Sequence, residues 1–178
     1  MFSGKTDELL RLLRRASVGG RSVLLIRPQV DTRSPAEMAE SRSGATYECT
    51  TVPGAADIIS AVAAAPVEVV AIDEIEFFGV EVADVANRLA MDGYEVIVSG
   101  LDTDFAGRPF GALPTLLSLA DTITKLTAVC TFPGCGEEAT RTQRLVNGNP
   151  ARYDDPVVIV GAAEMYEARC RTHHEVPH

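Results

Sequence analysis

Three groups of residues in this chain combine types and spacings that can do chemistry. The first is Ser3-Gly4-Lys5-Thr6. With Met1 and Phe2 these residues occupy the last six positions of the pattern G-x-x-x-x-G-K-[ST]. In that loop backbone N–H groups cradle phosphate oxygens, the lysine reaches the outer phosphates and the hydroxyl binds Mg2+. A lone Gly-Lys-Thr before a helix is about as often chance. The second group is Asp73-Glu74, directly after the apolar run 67–72. Beside a phosphate loop, an Asp in that place is the usual second contact of the metal that bridges the outer phosphates. Glu74 would then be placed to accept a proton from an attacking hydroxyl. The competing reading is an acidic turn that caps the following segment, and Glu76 shows that acids are common there. The third group is Cys130, Cys135, Cys170 and His173. Four residues separate the first two cysteines, and His173 follows Cys170 by three, the arrangement in which two turns pinch one tetrahedral zinc ion. A disulfide is the alternative, disfavoured in a reducing compartment. His174 leaves the ligand register open by one residue, and Cys49 reads as a packed thiol.

The elements that must position these groups are legible as an alternation. A helix is expected from Thr6, with Asp7 and Glu8 in its first turn, Leu9, Leu10, Leu12 and Leu13 as its apolar stripe, and Gly19-Gly20 as its stop. Strands are expected at 22–27, 67–72, 94–98 and 122–129, and helices at 54–65, 80–91 and 113–120. The run 67–72 is nearly continuous in β-branched and apolar residues, as in a strand buried on both faces. Such alternation predicts an α/β fold with a parallel sheet, helices on both faces, and a ligand site at the carboxyl ends of the strands. Asp73-Glu74 falls at one such end.

Composition narrows the class. A chain of 178 residues holds one good core and a small satellite unit. A net charge of −9 and 6% aromatic residues argue against a surface built for nucleic acid. The longest nearly apolar run, 58–67, contains Ser60 and Pro66 and is too short to span a bilayer. No targeting signal is visible, so a cytoplasmic protein with no membrane or nucleic-acid partner is expected.

Together these pieces resemble the type II, zinc-containing thymidine kinase family almost end to end. The resemblance runs through Met1 to Thr6, Asp31-Thr32-Arg33 and Ser41-Arg42-Ser43-Gly44. It continues through Asp73-Glu74-Ile75-Glu76-Phe77-Phe78, Gly100-Leu101-Asp102 to Arg108-Pro109-Phe110-Gly111, 125–128, 139–144 and 160–170. It implies a P-loop α/β domain over 1–129 and a zinc-ribbon-like lasso over 130–178 that closes over a nucleoside. It implies ATP-dependent phosphorylation of thymidine, and of deoxyuridine, at the 5′-hydroxyl. Glu74 would be the general base. Ser3, Gly4, Lys5, Thr6 and Asp73 would hold ATP and Mg2+, with Asp31 supporting the metal's waters and Arg33 the transferred phosphoryl group. Met1, Phe77, Leu101, Phe110, Thr142 and Tyr166 would line the thymidine site, with main-chain groups at Val157, Ile159 and Gly161 on the base. Structural zinc on Cys130, Cys135, Cys170 and His173, a homotetramer, and feedback inhibition by thymidine triphosphate complete what the resemblance implies.

Two departures from the family pattern matter. Glu76 stands where the family usually has Gln; on a strand-like backbone it would share a face with Glu74 and raise that residue's pKa if both were buried. The first glycine of the phosphate loop and the strand before it are not in the sequence. On that ground the chain as written is expected to be weakly stable and poorly active, with an upstream β-rich segment ending in Gly-Pro restoring both. Two other classes compete: a P-loop ATPase with a zinc ribbon that handles nucleic acid, and a non-catalytic nucleotide-binding protein.

Overall fold

The computed structural model describes residues 2–29, 38–40, 44–157 and 164–178. The expectations placed on Met1, Asp31, Arg33, Ile159, Gly161 and residues 41–43 lie outside the described residues.

In chain order the elements are α1 (Lys5–Val18), β1 (Val23–Pro28), β2 (Met38–Glu40), β3 (Thr46–Glu48), β4 (Thr50–Val52) and α2 (Ala55–Ala63). Then follow β5 (Val69–Ile72), a 3-10 turn (Ile75–Phe77), α3 (Val82–Met91), β6 (Glu95–Val98) and α4 (Leu113–Leu119). The last are β7 (Ala128–Val129), β8 (Glu138–Ala139), β9 (Arg141–Val146), β10 (Asn149–Pro150) and β11 (Glu164–Arg169). The chain forms two compact units. The larger comprises Lys5–Leu101 and Gly111–Ile123; the smaller comprises Met1–Gly4, Asp102–Phe110 and Thr124–His178.

The larger unit is built on a parallel sheet in the order β4-β1-β5-β6. Its middle strands are buried on both faces because their side chains alternate between two apolar layers. Ile26, Val70 and Ile72 pack with Ile58 and Val62 of α2, Val82, Ala86 and Leu89 of α3, and Leu113 and Leu116 of α4. Leu25, Val69 and Ala71 point the other way, onto Leu9, Leu10 and Leu13 of α1. Each fully buried Leu, Ile or Val contributes about 1.5–3 kcal/mol by leaving water. The expected helices at both faces and the parallel sheet are thus present. Helix α1 carries Asp7 and Glu8 in its first turn and stops at Gly20, whose φ of +80° suits a residue without Cβ. The N–H groups of Gly20 and Arg21 bond to the carbonyls of Ser17 and Ala16, which satisfies two orphan carbonyls of the last turn.

The strand expected at 122–129 is reduced to Ala128–Val129, which pairs antiparallel with β8 in the smaller unit rather than joining the parallel sheet. Residues 122–126 are exposed, Ile123 among them, so no apolar layer receives that β-branched run. The rest of the smaller unit is carried by the three-stranded antiparallel sheet β10-β9-β11, in which Thr142 pairs with Ala168 and Tyr166 with Arg144.

Candidate functional site

In the larger unit, the chemistry gathers where β5 ends. The Asp73 N–H bonds to the Ile26 carbonyl and the Ser99 N–H to the Ile72 carbonyl, so the ends of β1, β5 and β6 are locked in one register. The chain then turns sharply. Glu74 sits at φ +52° and ψ +42°, a left-handed conformation that costs a residue with a Cβ about 1–2 kcal/mol. Such strain persists only where the surroundings over-determine it, and it concentrates at functional sites. Here the fixing contact is an ion pair: Lys5 Nζ, in the first turn of α1, donates to Glu74 Oε1 at 2.8 Å. The same amine lies 3.9 Å from Asp73 Oδ1. Burial pulls the Lys5 amine toward neutrality, but the charges of Glu74, Asp73 and Glu76 outweigh it and its pKa rises.

Both Asp73 and Glu74 are buried, and so is Glu76. Burial pushes the Asp73 carboxyl above its usual range, Lys5 opposes, and Glu74 adds to the rise. Asp73 Oδ1 is buried without a hydrogen-bond partner among the described residues, while the Ser99 hydroxyl beside the carboxyl works against the rise. A buried carboxylate oxygen left open beside a lysine is a group waiting for a cation or a donor. The turn that joins Glu74 to Glu76 is 3-10 rather than strand-like, yet it buries both side chains. Lys5 and Thr6 open α1 directly after Gly4, whose φ is +77°. Arg27, which sequence reasoning passed over, is buried one residue beyond Ile26 and donates from Nη1 to the Met38 carbonyl. A charged residue within the apolar run 23–28 was the available signal.

Of the residues expected around a nucleoside, Phe77 and Leu101 belong to the larger unit, and Phe110, Thr142, Val157 and Tyr166 to the smaller. The register of β9 and β11 puts Thr142 and Tyr166 on one face of their hairpin, with Arg144 between them. Arg144 is fully buried, its guanidinium over the Phe105 ring at 5.0 Å, and Nη1 donates to the Pro156 carbonyl at 2.5 Å. That contact anchors the chain immediately before Val157, a positioning role no sequence pattern announced. Phe105 in turn sits in a loop closed by Asp104, whose Oδ1 accepts from the N–H groups of Ala106 and Arg108, at 2.9 Å each.

The second cluster is confined to the smaller unit. Hairpin β7–β8 presents Cys130 and Cys135, and the end of β11 presents Cys170 with His173 one turn later. The ligand atoms of these four residues all lie within 4.8 Å of one another. His173 Nδ1 is 3.3 Å from Cys170 Sγ and 3.8 Å from Cys130 Sγ, and Cys135 Sγ is 3.9 Å from Cys170 Sγ. A tetrahedral ion with bonds of about 2.0–2.3 Å holds its ligand atoms roughly 3.5–3.8 Å apart, so the cluster suits a metal. No sulfurs are bridged. His174 is turned elsewhere, its Nε2–H donating to the Phe105 carbonyl at 2.8 Å, which resolves the register in favour of His173. The His173 ring stacks on Phe132 at 4.0 Å and 3°. Burial raises the Cys130 thiol, but the N–H groups of Cys170 and Phe132 and the contacts with His173 and Cys135 bring it down to about 6. The Glu137 N–H draws Cys135 down, while burial and the neighbouring sulfurs push it up. One thiolate that forms easily beside neighbouring sulfurs is a donor set that suits a soft cation.

Comparison with known proteins ties the two sites together. A family model described as thymidine kinase matches residues 1–174. A curated protein named thymidine kinase, from Coprothermobacter proteolyticus, is 50% identical over 177 residues, 99% of this chain and 87% of that protein. A likeness of that strength, over a span that includes the carboxylate turn and the sulfur cluster alike, places the chain in the thymidine kinase family.

Proposed function

We propose that this protein transfers the γ-phosphoryl group of ATP to the 5′-hydroxyl of thymidine, giving thymidine monophosphate, and that it also accepts deoxyuridine. The observation that carries this reading is the Lys5–Glu74–Asp73 constellation at the end of β5 in a chain of the thymidine kinase family. Phosphoryl transfer asks a protein mainly to position two reactants and to balance charge on the transferred group. Glu74 is the general base that takes the proton of the attacking hydroxyl. Lys5 carries positive charge to the outer phosphates, and its present ion pair shows that it reaches the carboxylate turn. The backbone at Ser3 and Gly4 and the start of α1 offer N–H groups to phosphate oxygens. Asp73 and Thr6 supply the hard oxygen donors that Mg2+ prefers, and the open Asp73 Oδ1 fits that use. When bound, the metal neutralises phosphate charge. Asp31 and Arg33 are assigned supporting roles at the phosphates on resemblance alone.

Phe77, Leu101, Phe110, Thr142 and Tyr166, with Met1, are proposed to contact thymidine, an apolar slot suiting a flat methylated base. Main-chain groups at Val157, Ile159 and Gly161 are proposed to read its polar edge, with Arg144 steadying the chain at Pro156. We assign zinc to the Cys130, Cys135, Cys170 and His173 cluster, as a closed structural site with no open position. The functional division at 129/130, the homotetramer, inhibition by thymidine triphosphate and a cytoplasmic setting rest on family resemblance. No helix among the described residues is long and apolar enough to cross a membrane. The direct test is incubation with ATP, Mg2+ and a panel of nucleosides. Thymidine and deoxyuridine should be converted to their monophosphates; conversion of purine nucleosides in preference to thymidine would overturn the reading.

A further inference from the structure

Glu76 is a buried carboxyl that the chemistry above leaves unused. It is 4% exposed, with the Glu74 carboxyl as its polar neighbour. Its neighbours explain where the side chain is seated. A Cβ built on Gly100 would lie 2.6 Å from Glu76 Oε2, 2.9 Å from Ile75 Cγ2 and 3.0 Å from Leu113 Cδ2. The carboxyl therefore occupies the space that any larger residue at position 100 would need. On the other side Gly111, at φ +53°, would place a Cβ 2.9 Å from the Glu76 carbonyl oxygen and 3.2 Å from its Cα. Gly100 and Gly111 lie at the two ends of the excursion Asp102–Phe110, in which the chain leaves the larger unit after Leu101 and returns at Gly111. One residue is thus packed against both ends of that excursion, two positions along the turn from Glu74.

We propose that Glu76 is a positioning residue for phosphoryl transfer: with its carboxyl against Gly100 and its backbone against Gly111, it fixes the two points where the chain leaves and re-enters the larger unit, next to Leu101 and Phe110, against the turn that carries Glu74. The proposal rests on the reading of Glu74 as the base and of Leu101 and Phe110 as thymidine contacts. The charged groups that face Glu76 are Glu74 on its own turn and Lys5 on α1; Gly100 after β6, and Gly111 and Leu113 at α4, bring none. Burial, and then the charge of Glu74, push its pKa well above the ordinary carboxyl value against the pull of Lys5. The seat therefore favours the uncharged acid, which the neutral amide of glutamine matches in shape.

The sign of the pH effect follows. An acid whose pKa is raised on folding binds its proton more tightly in the folded than in the unfolded state. Its contribution is fully present below the unfolded value near 4.5 and is lost as pH rises from there toward the folded value. Glu76→Gln removes that loss.

The experiment uses the whole chain and compares the parent with E76Q and E76A, by melting temperature between pH 5 and 8.5 and by steady-state kinetics for both substrates. We expect the Tm of E76Q to exceed the parent's by a margin that widens with pH, while E76Q keeps the parent's kcat/KM for thymidine. E76A should lose about 10- to 100-fold in kcat/KM for thymidine, expressed in KM, with the KM for ATP little changed. A merely structural loss would reduce the active fraction, lowering kcat for both substrates and moving neither KM. A Tm margin that is flat with pH, or an E76A enzyme that melts earlier yet keeps the parent's KM for thymidine, overturns the proposal. Should E76A not fold, the pH profile of E76Q decides alone. A parent that phosphorylates no thymidine would overturn the reading of Glu74 instead, and the Tm series would still judge the seat of Glu76.

Discussion

A carboxylate held in the left-handed region by a lysine one helix away is maintained by its partner, not by its own backbone preference. Glu74 and Lys5 illustrate this at 2.8 Å, and the sulfur cluster shows the same economy in another form. Cys130, Cys135, Cys170 and His173 converge within 4.8 Å of one another, and a bound cation would offset the mutual repulsion of their thiolates. Purified under reducing conditions, the protein should therefore contain one zinc per chain by elemental analysis. Stripping it with a chelator should lower the melting temperature, and Cys170→Ser should give a protein of similarly low melting temperature that no longer responds to added zinc. A metal-free parent with unchanged melting temperature would remove zinc from the account. Phe132, stacked on His173, adds a flat apolar cover that fixes the ring with Nδ1 toward the sulfurs.

At the scale of elements, the parallel sheet stands on two apolar layers that are unequal in size. The layer under α1 is the smaller, and Leu10 lies at its centre, fully buried with Leu9 and Leu13 against Leu25, Val69 and Ala71. Leu10→Ala should cost about 2–5 kcal/mol of unfolding free energy, read from denaturant melts, because the surrounding strands cannot collapse into the gap. Since α1 also presents Lys5 and Thr6, nucleotide affinity should weaken together with stability. The period-3.6 leucines of this helix, the β-branched run at 67–72 and the helix at 80–91 were readable because each has one dominant environment. The short strands β2, β3 and β4 were not, since three residues carry no period. Residues 122–127 misled because Thr122, Ile123, Thr124 and Thr127 are β-branched and favour extended backbone, without a sheet edge to receive them. The cysteine spacing announced the cluster, whereas choosing His173 over His174 needed the direction of the rings. Arg144, Asp104 and the seat of Glu76 depend on contacts between residues far apart in sequence, which composition and period do not encode.

Taken whole, the chain is acidic, at −9, yet places a lysine, and a buried arginine nearby in the β1 strand, at the end of its sheet where phosphate chemistry would occur. Net charge governs solubility and nonspecific association, while a local cation in a recess governs which anion is held. The kinase reading depends on that local charge acting beside a base. The most direct measurement pairs the parent with Glu74→Gln, which keeps the shape of the side chain and removes its basicity. ATP and thymidine binding would be followed by calorimetry, and phosphate transfer to thymidine by product formation. The account predicts that E74Q binds both substrates close to the parent's affinity while turnover falls about 10²–10⁴-fold. An E74Q enzyme that turns over thymidine as fast as the parent would contradict it.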